Sequence, residues 1–211
     1  GSLLALFANH FFWPFWEFLN TNENIENSIK AIRNYLLQIS IFYNNKQDIN
    51  SNYRLARNQA FIEIGNLMAS FQRMLQEPKS KQNNLQQVYK ITVINNAMLS
   101  SVASLGTYTQ THKTTDASQS FNTVIKVIIS NLDQAIAILN GKKESKEIEN
   151  LDRVFSEIKK IRIDEINKSQ NLNEENLKIN LQEIQLIKEQ LIWLTNLSSN
   201  IVSTSKTLIQ S

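Results

Sequence analysis

Tyr53-Arg-Leu-Ala-Arg-Asn-Gln-Ala-Phe-Ile-Glu-Ile-Gly-Asn-Leu-Met-Ala-Ser-Phe-Gln-Arg-Met-Leu-Gln-Glu-Pro78 is the stretch that decides the fold. Ala56, Ala60, Ile64, Leu67, Phe71 and Met74 recur at spacings of three and four, the period of one helix face. Ser51 or Asn50 suits the start, and Glu77-Pro78 marks the end, because the residue before proline avoids the α region. The result is a helix of seven turns with Arg54, Arg57 and Glu63 beside its apolar stripe.

The same period runs outward from this helix in both directions. Upstream, Ile25, Ile29, Ile32, Leu36, Ile39 and Phe42 form a stripe that Thr21 or Asn22 can cap. Downstream, Leu85, Val88, Ile91, Asn95, Leu99, Val102 and Leu105 form a third, expected to fray in the polar stretch 107–118. Asn95 and Asn96 interrupt it, either as buried amides satisfied by neighbouring helices or as the lining of a small polar pocket. A fourth stripe uses Phe121, Ile125, Ile128, Leu132, Ala135 and Leu139, with Gly141 placed as its C′ residue. A fifth uses Ile148, Leu151, Phe155, Ile158 and Ile161. The sixth is long: Leu177, Leu181, Ile184, Ile187, Leu191, Leu194 and Ile201, widened by Trp193 and Leu197 and started at Asn171 or Asn173. With only four Gly and two Pro in 211 residues, the chain lacks the turn residues that sandwiches, barrels and doubly wound sheets need. The expected fold is all-α, an elongated antiparallel bundle of five or six long helices.

Composition excludes several chemistries. There is no cysteine, so disulfides, zinc–thiolate sites and thiol catalysis are ruled out. The two histidines, His10 and His112, have no partner at metal-ligand spacing, and the glycines form no phosphate-cradling loop. No metal or other cofactor is therefore called for. Charged pairs such as Arg153 with Glu157 and Lys160 with Asp164 have the spacing of solvated helix pairs rather than of acid–base machinery, so an enzyme is not expected. Lys and Arg number 22 against 19 Asp and Glu, a net charge of +3 without a concentrated basic patch, which argues against a nucleic-acid partner. The 27 Asn and 16 Gln are read as a compositional bias, since they fall inside periodic apolar patterns rather than in a low-complexity run.

The first eighteen residues differ from the rest. Between Leu3 and Phe18 twelve of sixteen residues are apolar or aromatic and none is Lys or Arg. The run is shorter than the ~20 apolar residues of a full span and lacks a signal peptide's basic start. It reads as the end of a transmembrane helix, with Trp13 and Trp16 at the headgroup level and Pro14 at the exit. The alternative is a soluble helix whose aromatics cover the bundle. The expected division is 1–18 as membrane-exit segment and 19–211 as the helical bundle domain.

Arg73 and Glu77 lie four apart at the end of the Tyr53–Pro78 helix, where a cation is favoured and an anion is not. Glu77 is better placed at the start of a following helix, which Pro78 can open from its first position. The pair is expected to clip the corner between two helices.

This stretch resembles the signature of the cytoplasmic domain in the fusaric acid resistance (FUSC) family, aromatic-acid-exporter-like inner-membrane proteins, nearest the YccS-type branch. The resemblance rests on Arg54, Arg57, Ala60, Asn66, Leu67, Arg73, Met74, Leu75, Glu77 and Pro78. Phe12-Trp13-Pro14 with Trp16-Glu17, and Gln190-Leu-Ile-Trp193-Leu194, are similar to the family's membrane exit and C-terminal helix. The resemblance implies a C-terminal cytoplasmic domain of a multi-span transporter in the inner (plasma) membrane of a bacterium. Its role would be regulatory, gating or oligomerising. The full-length protein would export small organic or aromatic acids, contact the membrane through its N-terminal segment, and form a possible homo-oligomer. Arg54, Arg57, Asn66, Arg73, Glu77 and Pro78 would be the motif positions, expected to matter structurally first. The competing reading is a free-standing soluble bundle that binds a partner protein.

Overall fold

The computed structural model describes residues 17–45, 51–79, 82, 84–111, 119–142, 153, 156 and 174–210. They form five helices: α1 (Glu17–Asn45), α2 (Ser51–Gln76), α3 (Leu85–Thr111), α4 (Gln119–Leu139) and α5 (Glu174–Gln210). No strand occurs among the described residues. The fifth stripe of the sequence, Ile148 to Ile161, lies outside the described residues, as do residues 1–16 with Trp13, Pro14 and Trp16, and both histidines.

Polar contacts between helices fix their directions. Thr21 near the start of α1 meets Ser70 near the end of α2, so these two run antiparallel. Asn44 meets Asn122 and Glu26 meets Asn140, which makes α1 and α4 antiparallel as well. Ser28 meets Asn95, and Tyr35 lies against Gly106, so α1 and α3 are parallel. Asn84 at the start of α3 reaches the carbonyl of Leu208 at the end of α5. Hence α5 is antiparallel to α3 and parallel to α4. Helices α1, α3, α5 and α4 form a closed ring of four, each packed on the next, and α2 lies outside it on α1 and α3. The order is up-up-down-down, with α2 serving as the first crossover and residues 140–173 connecting the ends of the parallel pair α4 and α5. The antiparallel expectation holds for neighbours joined by short links. The two parallel pairs arise because the other connections are long enough to span the bundle.

One apolar core fills the ring. Ile25, Ile29, Ile32, Leu36 and Ile39 of α1 meet Ile91, Met98, Val102 and Leu105 of α3, with Ile128 and Leu132 of α4 and Leu191, Leu194 and Ile201 of α5. Helix α4 buries Phe121, Val124, Ile125, Val127, Ile128, Leu132, Ala135 and Ile138. It is long and apolar enough to cross a membrane by length and composition, but these side chains are spent on α1 and α5, as in a core helix. At its end the amide of Gly141 bonds to Ile138 O and that of Lys142 to Ala137 O, with Gly141 at φ 68°. This is the paired cap that requires a residue free to adopt positive φ.

Each parallel pair is tied by a buried Asn–Ser bridge. Asn95 donates to Ser28 Oγ at 2.9 Å, and that hydroxyl donates to Ile25 O. Asn131 donates to Ser198 Oγ at 3.0 Å, and Ser198 donates to Thr195 O. Asn95 is thus a buried amide held across helices, while Asn96 is exposed. A buried polar pair is satisfied at one axial register only, so the bridges fix how the parallel helices slide.

Three local expectations are corrected. Helix α1 begins at Glu17, not at a Thr21 or Asn22 cap; Thr21 is buried inside the helix against Ser70. Helix α3 runs to Thr111, so the fraying expected over 107–118 does not reach its first five residues, where the Thr107 and Thr109 hydroxyls bond back to Ala103 O and Gly106 O. Pro78 does not open the next helix, which starts at Leu85; Pro78 and Glu77 lie in the link. There the Gln82 side chain donates to Leu75 O and Glu77 O, satisfying α2's last carbonyls. The carbonyl of Asn84, at φ 55°, accepts the first helical hydrogen bond of α3, from the Val88 amide.

Candidate functional site

A cleft of about 450 Å³ opens where the start of α2 crosses the later turns of α1 and α3. It is lined by Tyr35 of α1, by Tyr53, Arg54, Arg57 and Asn58 of α2, and by Thr107 and Gln110 of α3. Its volume falls in the range of small-molecule sites.

The floor is built from two buried tyrosines. Their rings pack edge to face at 5.6 Å and their hydroxyls lie 3.4 Å apart. Gln110 Nε2 donates to Tyr53 Oη at 2.6 Å. Gly106 makes this floor possible. A Cβ there would stand 2.7 Å from Tyr53 Oη, 2.9 Å from Tyr35 Oη and 3.1 Å from Ile39 Cδ1. Burial, reinforced by the Tyr53 hydroxyl, pushes the Tyr35 phenol well above its ordinary value near 10, against a smaller opposing effect of the Arg57 charge. Tyr35 is therefore a neutral hydroxyl, able to donate, at any physiological pH.

The mouth is cationic. Arg54 and Arg57 are exposed and three residues apart, on one face of α2. Arg57 lies 5.3 Å over the Phe61 ring, which orients its guanidinium. No carboxylate lines the cleft, and neither arginine has a carboxylate partner among the described residues. The cleft is rich in N–H and O–H donors and carries two positive charges.

The motif positions do not converge. Arg54 and Arg57 line the cleft. Asn66 is on the exposed middle of α2, donating to Glu63 Oε2 at 3.2 Å. Arg73 is exposed in the last turn, where its charge suits the helix dipole, and Glu77 and Pro78 follow in the link. Nineteen residues of helix put Arg54 and Arg73 ~28 Å apart. Tyr35, Tyr53, Gly106 and Gln110 escaped the sequence reading because they sit on three helices. A glycine inside a helical pattern was the one available signal, since such a glycine often marks a close approach.

Comparison with known proteins gives two relatives. The chain is distantly similar to the inner membrane protein YccS of Escherichia coli K12. The identity is 26% over 108 residues, 51% of this chain and 15% of that protein. An uncharacterized protein of Haemophilus influenzae Rd is 27% identical over 157 residues, 70% of this chain and 22% of that protein. The chain thus spans about a fifth or less of the length of these relatives. No family model matches, and no solved structure matches. The relationship to YccS associates the chain with an inner-membrane protein.

Proposed function

We propose that this chain is the C-terminal cytoplasmic domain of a multi-span FUSC-type transporter of the bacterial inner membrane. The domain acts as a regulatory, gating or oligomerising part and not as an enzyme. The membrane part exports small organic or aromatic acids. The observation that carries this reading is the similarity to YccS, a protein of the inner membrane, far longer than the matched stretch. The apolar run Leu3 to Phe18 leads in sequence into α1, the helix that touches α2, α3 and α4. A displacement of the membrane exit would thus reach the bundle through α1. The N-terminal segment is the contact with the membrane, and nucleic acid is not a partner.

A homo-oligomer is part of the same reading. Helix α2 leaves Leu55, Phe61, Ile62, Met68 and Leu75 exposed, apolar side chains that a second copy of the chain would cover. The same surface suits a partner-binding module, the alternative.

The test is export by cells of the full-length gene product. Cells lacking the gene are loaded with benzoate, 4-hydroxybenzoate or succinate, and retention is followed with and without the restored gene. The reading predicts faster loss of at least one acid, with the rate changed when residues 19–211 are removed from a product that still reaches the membrane. Equal retention of every acid in both strains contradicts it.

A further inference from the structure

We propose that the cleft between α1, α2 and α3 is a binding site for a small oxyanion of two negative charges, a dicarboxylate or a phosphate. The inference holds whether or not the chain belongs to a transporter.

Four observations carry it. The first is charge: Arg54 and Arg57 face the same opening with no carboxylate lining it among the described residues. Two guanidinium groups side by side repel each other, an arrangement that an anion between them relieves. The second is donor geometry. A guanidinium presents paired N–H groups that match the two oxygens of a carboxylate or the edge of a phosphate. The third is the floor. The Tyr35 and Tyr53 hydroxyls and Gln110 are held by packing on Gly106 and by their own hydrogen bonds, so little ordering is needed when a ligand arrives. The fourth is size: about 450 Å³ holds a small metabolite with several oxygens.

The lining comes from three helices, so an occupant would tie α2 to α1 and α3 at the end where Tyr35 and Tyr53 meet. Binding is thereby linked to the stability of the α2 packing.

The experiment titrates the ¹⁵N-labelled 211-residue chain with sodium succinate, sodium acetate and sodium phosphate. Each is compared with sodium chloride at equal ionic strength. The readout is the Nε–Hε resonances of Arg54 and Arg57, with Arg33, which is paired with Asp133, as internal control. The site predicts saturable shifts at Arg54 and Arg57 and none at Arg33. Succinate or phosphate should bind at least three-fold tighter than acetate, and whichever is tighter identifies the oxyanion. The melting temperature should rise with the same anion. Arg54→Gln with Arg57→Gln, both exposed, should abolish saturation while leaving the far-ultraviolet circular dichroism unchanged. Tyr53→Phe should weaken binding several-fold. Non-saturating shifts of equal size at all three arginines overturn the proposal, as does the absence of any shift. It is also overturned if Asp48→Asn or Asp116→Asn moves the Arg57 resonance before any anion is added, for the chain's own carboxylate would then fill the cleft.

Discussion

Gly106→Ala is the sharpest perturbation of the structure. On helix propensity alone it should stabilise α3 by about 1 kcal/mol. The packing says otherwise. The new methyl would stand 2.7 Å from Tyr53 Oη and 2.9 Å from Tyr35 Oη. Both rings are almost fully buried between α1, α2 and α3, so neither can turn away without disturbing the packing. Relief requires moving a ring or the helix, an overpacking cost of about 1–3 kcal/mol. Displacing Tyr53 also breaks its bonds to Tyr35 and Gln110, worth about 0.5–1.5 kcal/mol each. The net expectation is a loss of about 3 kcal/mol. For a domain of this size that lowers Tm by about 6–12 °C. Urea and thermal unfolding followed at 222 nm measure it. In a Tyr53→Phe background the closest atom is gone, so Gly106→Ala should cost at least about 1 kcal/mol less, and the double-mutant cycle isolates the contact. A Gly106→Ala protein as stable as the parent, or more stable, would refute the close packing of both hydroxyls on α3.

Other perturbations have equally definite outcomes. Ser28→Ala strips the partner from the buried Asn95 amide and should cost about 1–3 kcal/mol by urea unfolding. Arg73→Ala removes a cation from the last turn of α2 and should cost about 0.3–1 kcal/mol; an unchanged Tm with lost activity of the full-length protein would show that Arg73 acts outside the helix end. The raised Tyr35 value stabilises the fold fully below pH 10. That contribution fades as alkali ionises the unfolded chain's tyrosine more readily than the buried one. Stability should therefore fall above pH 10, and Tyr35→Phe should flatten the fall.

Helix positions were legible because apolar spacing reports directly on burial. The stripes of α1 to α4, and that of α5 from Ile187 onward, agree with the buried residues nearly position by position, except that Trp193, read as widening the last stripe, is exposed; Ser51 and Gly141 fall at the ends where capping chemistry put them, and α2 ends just before Glu77-Pro78. The pairing of helices was not legible. Nothing local to Ser28 or Asn95 says that they meet, nor that α4 and α5 run parallel. The abundance of asparagine looked compositional, yet Asn44, Asn84, Asn95, Asn122, Asn131 and Asn140 all bridge elements. An amide both donates and accepts, so its value appears only when a partner helix is in place. Arg54 and Arg57 were singled out within a motif, but their shared cleft depends on tyrosines and a glycine from other helices.

The most direct test of the membrane-transporter account is the location of the native full-length product, tagged at its C-terminus. After cell fractionation and an alkaline wash, the tag is probed with external protease on intact spheroplasts and again after lysis. The account predicts a product retained in the membrane pellet, with a tag cleaved only after lysis. A product released by the wash, or a tag cleaved from outside, would contradict it.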